Sequence, residues 1–117
     1  MKAIVTGGEG GIGRVLRARL EREGYEVESL DLVNGFDVSD PACWERVGAV
    51  DLACLNAGVL TGEMDPRRLT VEQYRRAVSV NVDGVVLGVT RLARVMDGGS
   101  IVATASLLAI RAGWIGL

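Results

Sequence analysis

The residues with the most specific chemistry to offer form one turn, Thr6-Gly7-Gly8-Glu9-Gly10-Gly11-Ile12-Gly13. Glycines let a backbone turn sharply and approach a bulky anion closely. A helix that opens on such a turn adds unpaired N–H groups and the positive end of its dipole. The turn can therefore cradle a pyrophosphate, provided that a strand precedes it and a helix follows. A carboxylate, Asp31, stands 18 residues beyond Gly13, after a second apolar run. There it can accept hydrogen bonds from the ribose hydroxyls of a dinucleotide, and it repels a 2′-phosphate. No Lys or Arg occupies positions 8–10 or 32–33 to offset it. The pattern favours NAD over NADP.

Composition removes other chemistries. The chain has no histidine, which excludes Ser-His-Asp and Cys-His sites and takes away the commonest zinc ligand; no metal site is read. Cys43 and Cys54 are not in a C-x-x-C arrangement and read as free thiols, Cys54 as a small core residue. A net charge of −2 without a long basic run gives no electrostatic footprint for nucleic acid. The apolar stretches are far shorter than the ~20 residues that span a bilayer. The first residues are too short an apolar run for a signal peptide. A soluble cytoplasmic protein with no membrane partner is expected, as one domain over residues 1–117.

The elements that must position the turn can be read from periodicity. Lys2 to Thr6 is a short buried strand. Ile12 to Glu23 is a helix, with Ile12, Val15, Leu16 and Leu20 at helical spacing. Gly24 is placed to end it. Val27 to Leu32 is a second strand and Phe36 to Val38 a very short third. Asp40-Pro41 starts a helix that runs to about Val47. Val50 to Leu55 is a fourth strand. Ala57 to Leu69 is a loop. Thr70 and Gln73 form a capping box ahead of one long helix to Met96, in which Gly84 and Gly88 imply close packing against a neighbour. Ser100 to Ala105 is the last strand. Apolar strands alternating with helices, without strict in–out alternation, give an α/β fold: a doubly wound, Rossmann-type parallel sheet of about five strands with helices on both faces.

The turn resembles the T-G-x-x-x-G-x-G of short-chain dehydrogenases/reductases, and four further segments match that family in order. Asp37-Val38 resembles its Asp-Val pair beside the adenine. Asn56-Ala57-Gly58 resembles its N-A-G motif, which ties the central sheet and borders the cofactor. Asn81-Val82-Asp83-Gly84 resembles its N-V-x-G motif, and Ile101 to Ser106 the strand that ends in the active-site serine. By themselves Asn81 and Ser106 would be an ordinary polar helix residue and a strand-end serine. The glycines at 7, 10 and 13 also fit the T-G-x-x-G-x-x-G of the epimerase-like branch, but Asn56-Ala57-Gly58 and the Ser106 strand favour the single-domain oxidoreductases.

The resemblance implies an NAD(P)-dependent oxidoreductase that moves a hydride between nicotinamide and a small alcohol or carbonyl substrate, and that pairs into homo-oligomers through the long helix. It implies cofactor contacts from Gly7, Glu9, Gly11, Ile12, Gly13, Asp31, Leu32, Asp37, Val38, Asn56, Ala57 and Gly58. It makes Ser106 a hydrogen-bond partner of the substrate oxygen and Asn81 the support of a proton-relay water. Tyr25 and Tyr74 stand away from the expected site. Two departures stand out. Val33-Asn34-Gly35 replaces a helix found in many relatives, and the family's Y-x-x-x-K motif does not occur in the 117 residues. The expectation is a truncated dehydrogenase, inactive as this chain. A dinucleotide-binding module without chemistry is the alternative.

Overall fold

A computed structural model of the protein describes residues 1–107 and residue 110. Its elements in chain order are β1 (Lys2–Thr6), α1 (Gly11–Arg22), β2 (Glu26–Leu30), α2 (Pro41–Glu45), β3 (Leu52–Leu55), α3 (Val71–Val78), α4 (Gly84–Val95) and β4 (Ser100–Ala103). The strands form one parallel sheet in the order β2-β1-β3-β4. Parallel neighbours need a crossover, and each strand here is followed by helix before the next. The chain winds from β1 to β2 on one side, then returns past β1 to β3 on the other. The reversal creates a crevice between the carboxyl ends of β1 and β3.

Register assigns the two faces. Ile4, Leu30, Ala53 and Leu55 share one face, and they join Phe36, Val38, Trp44 and Leu92 in the main core. Val5, Ser29 and Cys54 share the other, beneath α1, which packs on β1 and β2. Among the described residues no helix is long and apolar enough to cross a membrane.

The doubly wound parallel fold is as expected, but among the described residues it has four strands rather than five. Phe36 to Val38 is not a strand. Asp37 accepts from the Ser39 N–H at 2.9 Å and the Ser39 hydroxyl at 2.7 Å, and this local turn draws the chain off the sheet. Phe36 and Val38 are still buried, against Trp44 instead of a strand. The ring of Trp44 meets Phe36 edge-on at 5.1 Å and its Nε1 donates to the Val38 carbonyl at 2.8 Å. β2 also stops early, at Leu30, because the Asp31 carboxylate accepts from the Val33 N–H and caps a 3₁₀ turn, Leu32–Asn34. α2 ends at Glu45.

The expected long helix after Thr70 runs unbroken from Val71 to Val95, with a π turn, Ser79–Asp83, between α3 and α4. Its start is as expected: Thr70 accepts from the Gln73 N–H while Gln73 accepts from the Thr70 N–H, a closed capping box. The glycines of α4 have the reason that the sequence demanded. A Cβ on Gly88 would stand 2.8 Å from Trp44 Cη2, and one on Gly84 would stand 2.8 Å from Val38 Cγ2. The tryptophan thus wedges between the irregular segment after β2 and the start of α4.

Candidate functional site

The crevice opens into a cleft of about 1050 Å³. Its floor is a hydrogen-bond chain across three strand ends. The Thr6 hydroxyl, buried at the end of β1, accepts from the Asn56 N–H at 2.8 Å and the Ala57 N–H at 3.0 Å. The Asn56 amide donates back to the Thr6 carbonyl, and Thr104 donates to Asn56 Oδ1 at 3.0 Å. Buried N–H groups left without partners cost about 1–3 kcal/mol each, so this chain holds the ends of β1, β3 and β4 in one register.

Above the floor lies the glycine turn. Gly7 has φ +64°, a left-handed conformation in which a Cβ is disfavoured. Gly10 N–H closes the turn on the Gly7 carbonyl at 3.1 Å. A Cβ on Gly13 would run into the Gly7 carbonyl oxygen and stand 2.8 Å from Gly8 Cα, so the first turn of α1 rests directly on the exit from β1. No side chain caps α1, and its first internal bond is Arg14 N–H to Gly10. The N–H groups of Gly11, Ile12 and Gly13 are available to an anion.

Asp31 stands at one end of the cleft, beside Leu32. Its Oδ2 accepts from the Glu9 N–H at 3.1 Å and its Oδ1 from the Val33 N–H at 3.2 Å. Asp37 and Val38 line the same wall. At the other end are Asn81, Thr104 and Ser106. Asn81 lies in the π turn and grips one residue at both ends: Nδ2 donates to the Val59 carbonyl at 2.8 Å and Oδ1 accepts from its N–H at 2.7 Å. Its side chain is thus a strut between the helix and the loop after Gly58. The only titratable side chains lining the cleft among the described residues are Asp31 and Asp37. Behind the floor, burial pushes the Cys54 thiol up from its ordinary value, which keeps it protonated at neutral pH.

The cleft brings together every residue named from the sequence except Glu9. The Glu9 side chain turns instead to an ion pair with Arg17. Sequence reading also missed the apolar walls from Phe36, Leu60 and Val85, and Arg17 itself. Positions 13 and 17 share a helix face, so the residue one turn beyond Gly13 had to lie over the glycine turn. An uncapped helix end, a turn with no room for a Cβ at Gly7 or Gly13 and a carboxylate at one end fit the phosphates and ribose of a dinucleotide.

A sequence profile described as short chain dehydrogenase matches residues 41–116. Levodione reductase of Leifsonia aquatica is 28% identical over 92% of this chain and 53% of its own length. NADP-dependent (R)-specific alcohol dehydrogenase of Lentilactobacillus kefiri is 30% identical over 90% of this chain and 54% of its own length. A crystal structure of a small-chain dehydrogenase superposes with a TM-score of 0.85 at 30% identity, over 97% of this chain and 63% of that one. The chain spans about half the length of the relatives it matches. Fold, cleft and matched residues agree: the chain belongs to the short-chain dehydrogenase family, whose members are oxidoreductases.

Proposed function

We propose that this chain supplies the dinucleotide-binding half of an NAD-dependent oxidoreductase acting on a small alcohol or carbonyl compound. The observation that carries the reading is the cleft itself. Asp31 stands at one end, the uncapped start of α1 in the middle and Ser106 at the other end. Gly11, Ile12 and Gly13 would hold the pyrophosphate through backbone N–H groups. Asp31 and Leu32 would hold the adenosine ribose, Asp37 and Val38 the adenine, and Asn56-Ala57-Gly58 the nicotinamide side. A bound nicotinamide supplies or accepts the hydride. Ser106 would donate to or accept from the substrate oxygen, and Asn81 would keep the loop after Gly58 in place.

One relative is NADP-dependent by name, so coenzyme choice rests on this chain's own residues. Asp31 repels a 2′-phosphate. NAD should bind more tightly than NADP, and Asp31→Ala should narrow the gap. Titration calorimetry with both cofactors reads it; equal or tighter NADP binding by the unaltered protein would sink the assignment.

Among the described residues the cleft has no Tyr, Lys or His. A positioned acid or base contributes about 10²–10⁴-fold. We therefore expect no measurable dehydrogenase turnover by the 117-residue chain on alcohols or ketones, and activity from a longer protein that carries a Y-x-x-x-K segment. Robust NAD(H)-dependent turnover by the short chain, its mass confirmed, would show that another group donates the proton. The same missing donor favours the second reading, a binding module without chemistry, if no such segment exists.

The exposed apolar residues Val71, Tyr74, Val82, Val86 and Val89 of the long helix support self-association through it. Light scattering should find a dimer or larger species of the complete protein. A monomer at high concentration would count against this face.

A further inference from the structure

We propose that Glu9 is a second determinant of coenzyme choice: it holds captive a cation, Arg17, that would otherwise serve a 2′-phosphate. The proposal rests on the reading that the cleft takes a dinucleotide, and it concerns the adenosine end alone. By sequence position no cation belongs to this turn. The fold nevertheless brings one, because α1 carries Arg17 back over the glycines. Arg17 Nη1 pairs with the Glu9 carboxylate and donates to the Gly8 carbonyl at 3.3 Å. Its Nε is buried with no acceptor, as is the neighbouring Ser29 hydroxyl. A guanidinium has five donors in a rigid fork suited to phosphate, so this one has capacity to spare.

The turn links this cation to Asp31. The backbone N–H of Glu9 donates to Asp31 Oδ2 at 3.1 Å, while the Glu9 side chain neutralises Arg17. Glu9 thus neutralises Arg17, and the Asp31 carboxylate, bonded only to the Glu9 and Val33 N–H groups, is left as uncompensated negative charge beside the turn. Removing the Asp31 charge alone lifts the repulsion but leaves Arg17 occupied. Removing the Glu9 charge alone frees Arg17 but leaves Asp31 opposing the phosphate. Only the two changes together should expose an uncompensated guanidinium to a phosphate dianion, so the effects should be more than multiplicative.

The test uses the 117-residue protein with ADP-ribose and 2′-phospho-ADP-ribose, which need only the adenosine half of the cleft. Calorimetric titration compares the unaltered protein, Glu9→Gln, Asp31→Asn, the double variant, and the double variant with Arg17→Met; circular dichroism confirms folding of each. Asp31→Asn keeps an acceptor for the Glu9 N–H. The expected result is that the double variant gains at least about tenfold over the product of the single gains for the 2′-phosphorylated ligand, as a charge-assisted fork would give. Arg17→Met should remove that gain, and added salt should weaken it. Should Arg17→Met fail to fold, Arg17→Lys replaces it and should keep only part of the gain. A gain no larger than the product, or one that survives loss of Arg17, overturns the role of Glu9. If ADP-ribose binds none of these proteins, the dinucleotide reading falls and this proposal falls with it. ADP-ribose binding without a Glu9 effect overturns this proposal alone.

Discussion

Gly13→Val should lower dinucleotide affinity by at least about 100-fold, which is roughly 2.7 kcal/mol. The new Cβ would enter the space of the Gly7 carbonyl oxygen and crowd Gly7 C and Gly8 Cα, each 2.8 Å away. Backbone atoms cannot rotate aside, so α1 must lift from the turn, and overpacking of this kind typically costs about 1–3 kcal/mol in stability as well. Lifting α1 withdraws the N–H groups of Gly11, Ile12 and Gly13 from the position that an anion would take. Gly13→Ala should show a smaller loss in the same direction. Arg14→Ala, an exposed neighbour, should change affinity little. Fluorescence titration with NAD, with thermal melts alongside, separates lost binding from lost folding. Unchanged NAD affinity in a folded valine variant would mean that the turn is not the phosphate site.

Trp44→Ala should cost about 3–5 kcal/mol of folding stability. A domain of this size has roughly 6–18 kcal/mol in total, so the loss is a large share of it. Trp44 is 2% exposed and meets three parts of the core at once: Phe36 edge-on, the Val38 carbonyl through Nε1, and the bare face of Gly88 in α4. Trp44→Phe would keep most of the packing and orphan the Val38 carbonyl, at about 1–2 kcal/mol. Gly88→Ala should push on the same ring from the other side and destabilise despite alanine's better helix propensity. Urea unfolding midpoints rank the three. Because Val38 and Asp37 line the cleft, Trp44→Phe should also weaken adenosine binding. A Trp44→Ala variant of wild-type stability would show that the segment from Phe36 to Val38 is held by something else.

The glycine turn, Asp31, Asn56 and Ser106 could be placed from sequence because each follows a strand, although β4 ends at Ala103 and not at Ala105, and strand ends in this topology converge on one crevice. The segment Phe36 to Val38 could not. A short apolar run satisfies a buried strand and a buried loop equally, and the deciding interaction, the carboxylate of Asp37 turning back on Ser39, is local and polar. The π turn within the helix after Thr70 was hidden for a similar reason. Val78, Val80, Val82 and Val85 continue an apolar pattern through the π turn, so periodicity passes over it. Arg17 was hidden by distance: eight residues separate it from Glu9, and only the return of α1 across the turn joins them.

That π turn makes chain length itself a coded quantity. Each helical residue advances the chain by about 100°, and a π turn takes up an added residue without breaking the helix. Through it, Val80 and Asn81 face the cleft while Gly84, Gly88 and Leu92 face the core. Deleting one residue from the stretch 79–83 would restore an ordinary helix and rotate α3 by about 100° against α4. Deleting Ser79, which does not line the cleft, would then swing the Asn81 amide away from Val59. Among homologues, this stretch should tolerate exchange of residue types far better than any change in their number, the reverse of what an exposed loop permits.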